Sequence, residues 1–213
     1  MYLSKKISVV AVLFMAIISF SNFFGYPLAG ISIIIGVLFF FIKSILERNI
    51  ASENTLNTRA ISKILKDKSI WFWIPLPLIM NIICLALATL FLPEFIDHIY
   101  GRTEMVLSVN MVVLLILQLA IFALGEEIAW RGFFQKQLSK WLPIIPTLIL
   151  TSILFSIGHF AVGNMAVVSY DIFFIFINSV LYGIVFYKTN NVYISAISHF
   201  IANLFAIMAL AFL

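Results

Sequence analysis

Apolar residues run along this chain in long blocks, and the polar residues fall into a few short interruptions between them. A helix of about 18 or more apolar residues, rising 1.5 Å per residue, matches the hydrocarbon thickness of a bilayer. Blocks near that length recur from one end of the chain to the other. They do not alternate polar with apolar, as the ~10-residue strands of a membrane barrel would. The pattern predicts an all-α, polytopic transmembrane helix bundle of about seven spans.

The spans fall at residues 7–24, 28–42, 71–92, 105–140, 143–159, 169–187 and 192–213. Gly25-Tyr26-Pro27 turns the chain after the first. The third opens with Trp71 and Trp73 at an interface and is bent by Pro75 and Pro77. Gly158 and Gly163 mark a break after the fifth, and Lys188–Asn191 is a tight turn before the last. A short polar loop carries Glu94, Asp97, His98, Arg102 and Glu104, with His98 solvated beside Asp97. Residues 43–69 form one long basic loop, a lipid-facing amphipathic segment on the cytoplasmic side. Lys5 and Lys6 ahead of an apolar run resemble a signal peptide, but no small-x-small cleavage site follows, so this is a retained first helix.

Only 10% of the 213 residues are charged and 63% are hydrophobic, whereas a soluble domain carries about 25% charge. The net charge of +4 sits in loops, so it reports orientation and argues against a nucleic-acid partner. Lys5, Lys6, Lys43, Arg48, Arg59, Lys63, Lys66, Lys68, Lys136, Lys140 and Lys188 fall on one side and Arg102 on the other. That asymmetry puts the N-terminus in the cytoplasm and the C-terminus outside. The single cysteine, Cys84, lies in an apolar run, reads as core and cannot form an internal disulfide. No repeat or linker divides the chain, so residues 1–213 form one membrane-embedded domain, with 105–213 as its catalytic core helices.

Few polar residues fall inside the last four spans: Asn110, Gln118, Glu126, Glu127, Arg131, His159, Asn178, His199 and Asn203. A charge at membrane depth costs about 2.5–3.5 kcal/mol, so an ionisable cluster there points to function. Counted from the turn near Trp141–Pro143, Glu127 and His159 sit at similar depth on neighbouring helices. His199 and Asn203 are four apart, on one face. These groups can therefore line one mid-membrane cavity. Glu127 and Arg131 have the i, i+4 order that favours an ion pair, which gives Glu127 a structural role. Glu126 points about 100° away around the helix and is left for chemistry as a base toward water, with His159. His199 and Asn203 can donate to an oxyanion. Asn110, Gln118 and Asn178 read as interhelical hydrogen-bond partners.

Glu126-Glu127-x-x-x-Arg131, Phe155-x-x-x-His159 and His199-x-x-x-Asn203 resemble, in order, the motifs of the CAAX prenyl endopeptidase and bacteriocin-processing family of intramembrane glutamic proteases, the Abi family. The resemblance covers about residues 105–213. It implies a metal-independent, cofactor-free endopeptidase in which Glu126 and His159 activate water, His199 and Asn203 stabilise the oxyanion, and Glu127 and Arg131 support the site. It also implies a membrane-associated peptide or protein tail as substrate, of bacteriocin- or pheromone-precursor or CAAX type, and a bacterial plasma membrane as location. Two readings compete with it. A zinc protease would use Glu126, His159 and His199 as ligands, although His-Glu-x-x-His is missing. A non-catalytic immunity or scaffold protein would use the polar cluster only to join helices. A transporter fits least, since no inverted repeat is visible.

Overall fold

The computed structural model describes residues 2–46, 55–107 and 112–210, and every regular element among them is helical. We label the helices α1 (Tyr2–Ser19), α2 (Ile31–Leu46), α3 (Ile70–Phe91), α4 (Glu94–Leu107), α5 (Val112–Leu138), α6 (Ile144–Ile157), α7 (Met165–Thr189) and α8 (Val192–Leu210). Among the described residues, five segments are long and apolar enough to cross a membrane: Lys6–Phe24, α3, α5, α7 and α8. The other two expected spans, α2 and α6, have 16 and 14 residues. They reach about 24 and 21 Å, short of a full hydrocarbon crossing. The chain is an integral membrane protein. Its outer face is apolar, with Val10, Ile17, Leu90, Phe91, Val112, Val113 and Ile121 all well exposed.

Local chemistry explains the helix ends. Pro75 breaks α3 into Ile70–Trp73 and Leu76–Phe91, because proline lacks an amide hydrogen and clashes with the preceding turn. Asn190 ends α7 at φ 46°, a left-handed conformation that asparagine tolerates. Asn191 then starts α8, its side-chain oxygen accepting from the Tyr193 and Ile194 amides. Its side-chain nitrogen donates to the Asn57 carbonyl, which ties the middle of the basic segment to this turn.

Residues 94–104 are not the polar loop their composition predicts. They lie in helix α4, whose Glu94 and Asp97 sit favourably in the first turn. Phe95 and Ile99, four apart, are buried with Cys84, Ala88, Val167, Phe174 and Leu210. Two apolar residues on one face of a polar stretch suffice to dock it. His98 is correspondingly not solvated: its Nε2 lies 3.3 Å from Asp171 Oδ2 of α7, and both side chains are nearly buried. The start of the expected fourth span shifts as well, since residues 105–107 belong to α4 and 108–111, with Asn110, lie outside the described residues. Lys43 belongs to α2 rather than to a loop, and its Nζ donates to Ser8 and Gln137.

The packing centre is the middle of α5. Residues Ile128–Gln135 form a π-helical stretch, all of it buried. Such wide i→i+5 turns occur frequently at functional sites. Helix α2 lies directly on this stretch, and only glycine fits at position 36: a Cβ there would stand 2.5 Å from the Ala129 Cβ. Trp130, Phe133 and Phe134 project into a core with Met15, Phe40, Phe155, Phe186 and Val192. Helix α5 packs on α8, α8 on α3 and α7, and α7 on α6, which brings five inner faces around one space.

Candidate active site

That space is a cavity of about 390 Å³. Glu126 from α5, His159 from the turn after α6, and His199 and Asn203 from α8 all line it. Most of the remaining wall is apolar, including Leu85, Leu119, Phe122, Phe174 and Ile207. Gln118 is half-buried and does not line it.

The two carboxylates have different surroundings. Glu127 is fully buried and points away from the cavity into a polar nest. Its Oε2 is 3.4 Å from Arg131 Nε and accepts from the Ser195 hydroxyl, and its Oε1 is 3.0 Å from His199 Nδ1. Arg131, also fully buried, donates through Nη2 to the Ser179 carbonyl and hydroxyl at 3.0 and 3.1 Å. Its guanidinium also lies over the Phe155 ring, 4.8 Å from the centroid. Glu126 faces the cavity. Its nearest charged neighbour among the described residues is the other nitrogen of His199, with Nε2 3.7 Å from Oε2.

The imidazoles are held in defined orientations. His199 stacks on Tyr182 and bridges the two glutamates. Its Nδ1 faces a carboxylate that an adjacent guanidinium keeps company, so Nδ1 is the donor. His159 Nδ1 lies 2.8 Å from the Phe155 carbonyl. A carbonyl only accepts, so this nitrogen carries the hydrogen and Nε2 is the basic site of the neutral ring. Phe155, four residues before His159, packs against both histidines. Asn203 is half-buried, and its amide has no protein partner among the described residues.

Residues 108–205 match the family described as Rce1-like: Type II CAAX prenyl endopeptidase Rce1-like. Over those residues the chain is similar to that Rce1-like family. The matched segment is a little under half of the chain and holds every residue of the Glu126, His159 and His199 motifs. The similarity is therefore to a family described as CAAX-type endopeptidases. No curated protein and no solved structure matches the chain.

Several site residues carry no sequence signal. Ser195, Tyr182 and Asn81 lie in apolar stretches and have no motif spacing to the glutamates, yet Tyr182 and Asn81 line the cavity and Ser195 donates to Glu127 behind it. Asn178 bridges helices as its isolated position in an apolar span predicts, donating to Asn81 Oδ1 at 2.6 Å. Among the described residues, no group of three or more His, Cys, Asp or Glu side chains has metal-holding geometry.

Proposed function

We propose that the protein is an intramembrane glutamic endopeptidase that hydrolyses a membrane-associated peptide or protein tail. The observation that carries this reading is the convergence of Glu126, His159, His199 and Asn203, from three helical segments, on one largely apolar cavity. Glu126 accepts a proton from a water held between its carboxylate and His159 Nε2. The resulting hydroxide adds to the scissile carbonyl carbon. The oxygen that gains negative charge is received by the Asn203 amide and by His199, a placement that counts for more in a dry site than in water. On collapse the C–N bond breaks, and the protonated Glu126 gives its proton to the departing amine. His199 Nδ1 is committed to Glu127, so its Nε2 donates to the oxyanion only as the imidazolium. Glu127 and Arg131 keep that ring in place.

The close contact of His199 with Glu127 favours one other division of labour, in which His199 is the base oriented by Glu127 and Glu126 is the acid. Both readings lose turnover in Glu126→Gln and His199→Gln, and His159→Ala separates them. The first reading requires loss of substrate hydrolysis in His159→Ala, whereas the second leaves His159→Ala active.

The substrate class is a short peptide or tail of the bacteriocin- or pheromone-precursor or CAAX type. Mass spectrometry of candidate precursors from cells with and without the protein tests it, with protein levels monitored. Well-expressed Glu126→Ala that processes its precursor, or confers immunity, as the parent does would reject the catalytic assignment in favour of a scaffold, and His159→Ala that does so would remove His159 from it. Turnover that survives a strong chelator supports the metal-independent route, and turnover restored by zinc after chelation overturns it.

A further inference from the structure

Beyond the reacting groups, the cavity wall holds an amide relay. Asn81 of α3 donates through Nδ2 to the Ala202 carbonyl of α8 at 2.8 Å. A carbonyl can only accept, so this bond fixes which end of the Asn81 amide is nitrogen. Asn81 Oδ1 therefore faces α7, where it accepts from Asn178 Nδ2 at 2.6 Å. The relay in turn fixes Asn178. Its nitrogen is consumed by Asn81, and the atom left over is the carbonyl oxygen.

That oxygen is buried and has no hydrogen-bond partner. Asn178 is 8% exposed, and both residues line the cavity. A buried acceptor without a donor is uncommon and calls for an explanation. The rest of the relay is fully paired, so the omission is local to the cavity wall.

We propose that Asn178 Oδ1 accepts a backbone N–H of the bound peptide, which makes Asn178 a substrate-positioning residue. This rests on the peptidase reading and deepens it. Asn178 lies one helical turn from Tyr182, the residue stacked on His199, so it stands about 5–6 Å along α7 from the reacting groups. An extended peptide advances about 3.3 Å per residue. The N–H that Asn178 receives therefore belongs to a residue within about two positions of the scissile bond. A site built to pair a substrate N–H discriminates strongly against a substrate that lacks it. The chain to be cut is thereby read by its backbone, in an extended conformation, whatever its side chains.

The test uses the full-length protein in lipid nanodiscs and an internally quenched peptide that it cleaves, found by screening a library. Each backbone N–H near the scissile bond is replaced in turn by an ester oxygen. With the parent protein, one such ester lowers kcat/KM about tenfold. With Asn178→Leu, the all-amide peptide is slowed by about the same factor, and that ester then costs nothing further while the others keep their penalties. Asn178→Ala repeats the measurement with a smaller side chain, and the melting temperature reports folding. Ester penalties that are the same at every position in the parent and in both variants overturn the proposal and leave the peptidase reading intact. A parent protein that cleaves no library peptide overturns both.

Discussion

The rings of Tyr182 and His199 lie 4.2 Å apart between centroids and 18° from parallel. Tyr182 also lies beneath the Arg131 guanidinium, 5.6 Å from its ring centroid. An aromatic pair of this kind contributes about 0.5–1.5 kcal/mol beyond its buried area. Tyr182→Leu removes the platform, and we expect turnover to fall up to about tenfold, the rate equivalent of ~1.4 kcal/mol. Tyr182→Phe keeps the ring and should stay near the parent value. Measured kcat for the two variants checks this, and equal losses would assign the effect to the hydroxyl instead.

Ser195 has one hydroxyl hydrogen and two acceptors within reach, Glu127 Oε2 and the Tyr182 carbonyl. The charged acceptor is the stronger partner. Hydrogen bonds to charged groups contribute about 1.5–3 kcal/mol, so Ser195→Ala should both lower the melting temperature and slow turnover by about tenfold or more. A variant unchanged in both measurements would remove Ser195 from the support of Glu127.

Removing one partner of a buried ion pair costs about 3–5 kcal/mol, whereas replacing both is far milder. Arg131→Met leaves the fully buried Glu127 carboxylate without its guanidinium, held only by Ser195 and His199, and it should express poorly and melt early. Adding Glu127→Gln should recover much of the melting temperature without restoring full turnover, because the His199 partner has lost its charge. A double variant no more stable than Arg131→Met would show that the pair is not what the guanidinium serves.

Gly36→Ala would place a methyl 2.5 Å from the Ala129 Cβ, 2.8 Å from its Cα and 2.9 Å from the Met15 Cε. Overpacking of this order costs about 1–3 kcal/mol. Helix α2 must then move off the π-helical stretch, and both melting temperature and turnover should drop. Ala129→Gly added to it should restore only part of the loss, since the Cα and Met15 contacts remain. Thermal unfolding of the three proteins in one detergent decides it.

The helical membrane fold was legible because apolar runs separated by glycine, proline and asparagine turns report directly on hydration. The common depth of Glu127 and His159, and the shared face of His199 and Asn203, could be counted from two such turns. Helix α4 was hidden because the apolar residues it docks with, chiefly Phe95 and Ile99 with Ile96 beside them, are too few to outweigh five charged or imidazole side chains nearby. The partner of His98 could not be read because Asp171 lies 73 residues away and meets it only through packing. Ser195 and Asn81 were invisible for the same reason. The π-helical stretch differs from an ordinary helix by one residue per hydrogen bond, a change that hydrophobic spacing does not register.

Asn81, Cys84 and Leu85 of α3, with Phe95 and Ile99 of α4, stand in the wall that faces Glu126 and His199. All five precede the matched segment 108–205. A severed C-terminal half would thus keep every reactive group yet leave them beside a breach open to lipid, and the functional unit is wider than the stretch by which kinship is recognised.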